Sequence, residues 1–285
     1  MKVLVSGATG FIASHLVPRL VREGHSVVAL GHDPARLPSG HGVRQLVVDL
    51  SRSLPADDFP AVDAIVHLAQ ANTIGPSRSQ DLMAVNVAST CGLLDVAVRH
   101  KAEHFVLASS GSVYGATSVE IDERTPVHPL DEYGESKVLA EQLLDEFRDR
   151  LHVTALRLFV PYGPGQSGRM IPALAERIRS GTPIVLNENG RPHVNPVYVK
   201  DVVDAILSTL SRPDVQLVNV AGPDVVDVRE LSERIAGELN CHPRFVAGDN
   251  TNIGDIVAST TRVRDLIRRE LTPLADGLHR TFGTP

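Results

Sequence analysis

Val3-Leu4-Val5-Ser6-Gly7-Ala8-Thr9-Gly10-Phe11-Ile12-Ala13 decides the fold. An apolar, β-branched run reads as a buried strand, and apolar positions recur with helical spacing from Phe11 to Arg22. Gly7 and Gly10 stand in the turn between the two. Glycine there accepts unusual backbone angles and lets a phosphate approach the main chain, where the positive end of the helix attracts it. Ala13 is small enough for the helix to pack closely on the strand. Such a turn can exist without a ligand. Its place between a clear strand and a clear helix favours a dinucleotide phosphate held at Gly7, Gly10, Phe11 and Ile12.

The alternation continues along the chain. Val27 to Leu30, Val43 to Val48, Ala64 to Leu68, Phe105 to Ala108 and Val153 to Leu156 are near-continuous apolar runs. Helical patterns cover Ser79 to His100 and Ser136 to Arg150. Strands apolar on both faces belong to a parallel sheet covered by helices on each side. The expected fold class is α/β, a doubly wound parallel sheet of Rossmann type with a smaller C-terminal substrate-binding lobe. Residues 1-162 are expected to form the dinucleotide-binding domain, with a return to it at about 197-221 and to its sheet near Val197 to Leu210. Residues 163-196 and 222-285 are left for the lobe, after the glycines and prolines of Pro161-Tyr162-Gly163-Pro164-Gly165.

The 285 residues are 42% hydrophobic and 22% charged, with a net charge of -6. That balance fits a soluble globular protein and gives no basic surface for nucleic acid. Cys91 and Cys241 lie far apart, so no disulfide framework is expected and a reducing cytoplasm is the default. A first strand at Lys2 leaves no room for a signal peptide, and no apolar run approaches a membrane span, so no membrane partner is expected. His100 and His104 have a ligand-like spacing but no third ligand in sequence reach, so no metal is expected.

The second strand ends Ala29-Leu30-Gly31-His32-Asp33, with Arg36 shortly after. An acidic residue at its end would grip the adenine ribose of NAD. Gly31 stands there instead, which removes repulsion toward a 2'-phosphate that His32 or Arg36 can contact. Asp33, displaced by two residues, can still reach a ribose. The cofactor is therefore NAD or NADP, with a lean to NADP. Asp49 and Leu50 follow the third strand, where Asp49 is placed either to meet the adenine edge or to cap a turn.

Tyr133 and Lys137 in Tyr133-Gly134-Glu135-Ser136-Lys137 are four residues apart, on one face of a helix. A phenol is a poor base near neutral pH, and an ammonium beside it favours the phenolate. Together they can take or give a proton at a carbon-bound oxygen. An ordinary helix surface can carry the same pair.

Taken together, these residues resemble the extended short-chain dehydrogenase/reductase family, the NAD(P)-dependent sugar epimerases, dehydratases and ketoreductases. The resemblance also rests on His67-Leu68-Ala69, Val85-Asn86-Val87, Ser109-Ser110-Gly111-Ser112-Val113-Tyr114-Gly115, Tyr198-Val199-Lys200-Asp201-Val202 and Asn219-Val220-Ala221-Gly222. It implies that Ser110 hydrogen-bonds the reacting oxygen, Tyr133 is the acid/base, and Lys137 holds the nicotinamide ribose. It places Leu68, Ala69, Gln70 and Asn86 at the cofactor, though Asn86 can equally satisfy backbone groups. It implies hydride transfer on a small-molecule substrate, a nucleotide sugar acted on by an epimerase or 4-keto-sugar oxidoreductase. Val160 and Val194 depart from the Asn and Arg that nucleotide-sugar members often have, which keeps open an NADPH-dependent ketoreductase of a non-nucleotide carbonyl. A non-catalytic NAD(P)-binding protein is the remaining alternative. Ser112, Arg169, Arg191 and His193 are the candidate substrate residues. The family also commonly pairs as a homodimer through the helices at Ser79 to His100 and Ser136 to Arg150.

Overall fold

A computed structural model describes residues 1–52, 54–71, 79–117, 119–250 and 254–283. The chain runs β1 (Lys2–Ser6), α1 (Phe11–Arg22), β2 (Ser26–Gly31), β3 (Val43–Val47) and β4 (Ala64–His67). Next come α2 (Ser79–Leu82), a π-helical segment (Met83–Ala88), α3 (Ser89–Arg99), β5 (His104–Ser110), α4 (Glu132–Asp145) and β6 (His152–Leu158). They are followed by α5 (Met170–Ser180), β7 (Ile184–Leu186), α6 (Val199–Thr209) and β8 (Leu217–Val220). The last elements are α7 (Val228–Leu239), β9 (Phe245–Ala247), α8 (Thr261–Ile267) and α9 (Leu274–Phe282).

One seven-stranded sheet has the order β3-β2-β1-β4-β5-β6-β8. β1 pairs in parallel with β2 on one side and with β4 on the other, so the strand order reverses beside β1. In such sheets the C-terminal strand ends at the reversal form the ligand crevice. Here those ends are Ser6 and His67, which are register partners.

Two compact units are distinguished. The first comprises residues 1–113, 127–157 and 203–218. Leu4, Ile65, Phe105 and Leu107 from the strands and Leu93, Leu94, Ala140 and Leu144 from the helices form one buried cluster within it. The second comprises residues 114–126, 158–202 and 219–285. There β7 pairs in parallel with β9, and α7 packs against both α5 and α9.

Four local expectations are corrected. The strand expected at Val43 to Val48 is an edge strand, with Arg44, Gln45 and Val47 exposed rather than covered on both faces. The helix expected from Ser136 to Arg150 begins at Glu132, because the Asp131 carboxylate accepts from the Gly134 amide and caps it, and it ends at Asp145. The return to the sheet near Val197 to Leu210 is made by helix α6, and β8 is the strand that joins. Finally, the helical run Ser79–Arg99 is long and apolar enough to cross a membrane by length and composition. Much of that apolarity is turned inward, since Leu93, Leu94, Val96 and Ala97 are fully buried in the core.

Candidate active site

The glycine turn is tight for a steric reason. Gly7 has φ +65°, and a Cβ there would stand 2.7 Å from the backbone of Ala69. The Gly10 amide closes the turn by donating to the Gly7 carbonyl at 2.9 Å. Gly10 is also the N-cap of α1, so it brings no side chain to the first amides, and the first turn holds no acid. Phe11 and Ile12 open the helix and are partly exposed. An uncapped helix end approached by bare backbone suits the pyrophosphate of a dinucleotide.

Beneath it, a buried hydrogen-bond chain joins β1, β4 and α3. The Ser89 hydroxyl donates its one proton to the Val85 carbonyl at 2.5 Å. His67 Nε2, 3.3 Å from Ser89 Oγ, must then be the donor of that contact. Nδ1 is left as acceptor for the Ser6 hydroxyl at 2.5 Å, and Ser6 Oγ accepts in turn from the Ala69 amide at 3.2 Å. Burial, reinforced by the charge of Lys137, pushes the imidazole pKa down to about 3. The ring is a neutral connector.

At the end of β2, Leu37 occupies the space an acidic side chain would need. A Cβ on Gly31 would meet Leu37 Cδ2 at 3.2 Å and Thr9 Cγ2 at 3.5 Å. His32 and Arg36 are exposed beyond it. Asp33 is engaged locally, its Oδ1 accepting from the Ala35 amide at 3.1 Å. Asp49 takes the turn-capping role, with Oδ1 accepting from the Ser51 hydroxyl at 2.7 Å and the Ser51 amide at 3.0 Å. These bonds, the hydroxyl's first, hold its carboxyl below the usual range. Leu50 beside it is buried.

The start of α4 gathers the catalytic candidates. Lys137 is fully buried, and its Nζ donates to the Ala108 carbonyl of β5 at 2.9 Å while lying 5.8 Å from the Tyr133 ring centroid. A Cβ on Gly134 would stand 2.8 Å from the Ser112 carbonyl, so glycine lets the helix seat directly on the segment after β5. In that segment Ser110 Oγ accepts from the Ser112 amide at 3.2 Å and the Ser112 hydroxyl at 2.9 Å. Ser110 keeps its own proton to donate. Tyr133, partly exposed, donates from its hydroxyl to Gln70 Oε1 at 2.8 Å.

Asn86 is the clamp of this region. Its Oδ1 accepts from the Ala71 amide at 2.8 Å, and its Nδ2 donates to the Ala71 carbonyl at 3.1 Å and to Ser136 Oγ at 2.9 Å. Ser136 in turn donates to the Tyr133 carbonyl at 2.7 Å. Leu68 and Ala69 lie just upstream, with the Leu68 amide donating to the Ser6 carbonyl at 3.3 Å. Behind β5, Arg157 grips Glu141 through Nη2 at 2.6 Å, and Ser109 donates to the same carboxylate. Sequence reasoning missed Ser136, Glu141 and Arg157 as supports. Ser136 was within reach, one helical turn from Tyr133.

The remaining substrate candidates lie in the second unit. Arg169 is the N-cap residue of α5 and is partly exposed. Asp255 holds the other two, accepting from the His193 amide at 2.8 Å and Nδ1 at 3.0 Å, with Arg191 at 3.6 Å. Burial works against the Asp255 charge, but these partners outweigh it and lower the pKa. Val194 is buried and bridges Val226 and Ile256, while Val160 adopts φ +42°.

Residues 3–221 match the family model described as the NAD dependent epimerase/dehydratase family. A UDP-glucose 4-epimerase of Mycolicibacterium smegmatis is 30% identical, the match covering 99% of this chain and 97% of that one. An uncharacterized UDP-glucose epimerase of Bacillus subtilis, YtcB, is 28% identical over 98% of this chain and 96% of its own. Among solved structures, MoeE5 in complex with UDP-glucuronic acid and NAD superposes with a TM-score of 0.89 at 31% identity, covering 99% of this chain and 98% of that one.

Proposed function

The chain belongs to the NAD dependent epimerase/dehydratase family, and from that premise we propose that it oxidises a hydroxyl-bearing carbon of a nucleotide sugar, or reduces the corresponding ketone, with Tyr133 as acid/base. When bound, NAD supplies a hydride acceptor and donor. Gly7, Gly10, Phe11 and Ile12 hold its pyrophosphate, and Lys137 binds its nicotinamide ribose. Leu50, Leu68, Ala69, Gln70 and Asn86 line or support the rest of the cofactor site, and Asp49 caps the turn next to Leu50. Ser110 donates a hydrogen bond to the reacting oxygen. Tyr133 takes the hydroxyl proton as that oxygen becomes a carbonyl and gives it back on reduction. The observation that carries this reading is the seating of α4, with Lys137 anchored on Ala108 of β5 and Gly134 pressed on Ser112.

For the cofactor we favour NAD. The lean to NADP rested on Gly31, and it has no support from a 31% identical neighbour solved with NAD. His32 and Arg36 remain the residues a 2'-phosphate would meet. The favoured substrate is a UDP-sugar, as the names of the relatives suggest. Ser112, Arg169, Arg191 and His193 are the candidate substrate residues, Arg191 and His193 being already engaged with Asp255. The apolar Val160 and Val194 favour, as a second reading, a carbonyl substrate without a diphosphate. We also propose a homodimer formed through the helical run Ser79–Arg99 and α4, on which Met83 and Leu139 are exposed apolar residues. An analytical-ultracentrifugation mass of one chain counts against it.

The test is Tyr133→Phe, assayed with UDP-glucose and UDP-glucuronic acid after mass spectrometry of the purified protein for retained nucleotide. Turnover should fall by about two to four orders of magnitude with NAD binding kept. Unchanged turnover refutes the assignment.

A further inference from the structure

Tyr133 is held at both ends by one closed circuit. Its hydroxyl donates to Gln70 Oε1, and its carbonyl accepts from Ser136. Ser136 Oγ accepts from Asn86 Nδ2, and Asn86 clamps both backbone atoms of Ala71, the residue bonded to Gln70. On the other side of Gln70, the Ala69 amide is fixed by Ser6 Oγ. The backbone carrying the amide side chain is therefore pinned on each side, and the amide is presented to the phenol from a fixed base. A conformationally free surface glutamine would have no such frame.

We propose that Gln70 is a positioning residue, whose side-chain carbonyl holds the Tyr133 proton in place and opposes the pull of Lys137 toward phenolate. This rests on the acid/base reading of Tyr133 given above. An acceptor at the phenol favours the neutral form, whereas the ammonium of Lys137 favours the anion. The titration point of Tyr133 is set by the balance of the two. The other charged or titratable groups on α4 and the elements packed against it are Glu132, Glu135, Glu141 and Asp145 of α4, Asp81 of α2, Cys91, Asp95 and Arg99 of α3 and His104 of β5, with His67 at the end of β4. Of these, Glu132 accepts from the Ser79 hydroxyl at 2.6 Å, and His67 is neutral above about pH 3. Gln70 itself neither gains nor loses a proton. In the oxidation direction the substrate hydroxyl proton passes to the phenolate oxygen, and the acceptor at Gln70 then receives the hydrogen bond of the new phenol.

The chain has four tyrosines and no tryptophan, so phenolate absorbance near 295 nm is directly readable. Burial raises the pKa of Tyr162 and Tyr198, and the Tyr114 hydroxyl donates to Asn219 Oδ1 at 2.8 Å. Subtracting the Tyr133→Phe protein isolates Tyr133. The titration is run on the NAD-saturated protein and on Gln70→Leu and Gln70→Glu. Gln70 is exposed, so neither change threatens the core. Gln70→Leu should lower the phenolate midpoint by about half a pH unit to one unit, and Gln70→Glu should raise it. The acid limb of kcat/KM should move with the midpoint. An unmoved midpoint in both variants overturns the role of Gln70. Full turnover by Tyr133→Phe instead overturns the acid/base reading, whatever the titration shows.

Discussion

Asn86 holds Ala71 by both of its backbone polar groups, accepting from the amide at 2.8 Å and donating to the carbonyl at 3.1 Å. A buried side chain thus plays the part of a neighbouring strand for one residue. Its remaining N–H goes to Ser136. Removing it leaves polar groups unmatched, and leaving buried groups unpaired is costlier than losing a single bond. Asn86→Ala should lower stability by about 2–4 kcal/mol. Asn86→Asp, which cannot donate, should fall between. Urea unfolding measures both, and a double-mutant cycle with Ser136→Ala should show coupling of about 1 kcal/mol.

Acid sensitivity follows from His67. The unfolded imidazole titrates at about 6.5, while the folded ring is held near 3 by burial and Lys137. Folding favours the uncharged ring. Its contribution is whole above about pH 6.5 and is lost as pH falls toward 3, by up to about 1.4 kcal/mol per unit. His104, lowered by burial and by His152, adds a slope of the same sign. Unfolding free energy should therefore drop by about 2 kcal/mol between pH 7.5 and pH 5 on account of His67. In His67→Gln that part of the drop should vanish, though the baseline is lower.

Val160 combines a β-branched side chain with φ +42°. Left-handed backbone costs an L-residue about 1–2 kcal/mol, and asparagine tolerates it better. Val160→Asn should raise stability by about 1 kcal/mol, read as a higher unfolding midpoint. A fall in KM for a UDP-sugar in the same variant would favour the nucleotide reading, and an unchanged KM the carbonyl one.

The Arg157–Glu141 pair is almost sealed from solvent, with side chains 7% and 12% exposed. Taking the charge off one partner strands the other, at a cost of about 3–5 kcal/mol. Glu141→Gln should be destabilised on that scale in thermal unfolding. Replacing both residues with apolar ones of similar volume should recover much of the loss.

Local chemistry explains what could be read from the chain before its fold. The Gly7/Gly10 turn announces itself because a positive φ and a close backbone neighbour both demand glycine within a few residues. Tyr133 and Lys137 were legible for a similar reason, since i, i+4 spacing needs only a helix. Gln70 meets Tyr133 across 63 positions, and Asp255 meets His193 across 62. No periodicity links such residues; sheet order and loop packing bring them together. The exposure of β3 likewise depends on its being last in the sheet, which its composition does not record. The early start of α4 was within reach, because an aspartate ahead of a helical pattern is a capping signal.

The π-helical segment Met83–Ala88 has a consequence for phase. Each α-helical residue advances the winding by about 100°, so a widened turn resets which side chains point where on its two flanks. Leu82 before it and Leu93 and Leu94 after it are all buried, and the wide turn shifts the bearing of one flank against the other by about the winding of one residue. Asn86 occupies the wide turn itself. Deleting a single residue between Met83 and Ala88 would let the run close to regular α-helical turns with Leu82 and Leu93 near their present bearings, so the loss would fall on the wide turn that carries Asn86.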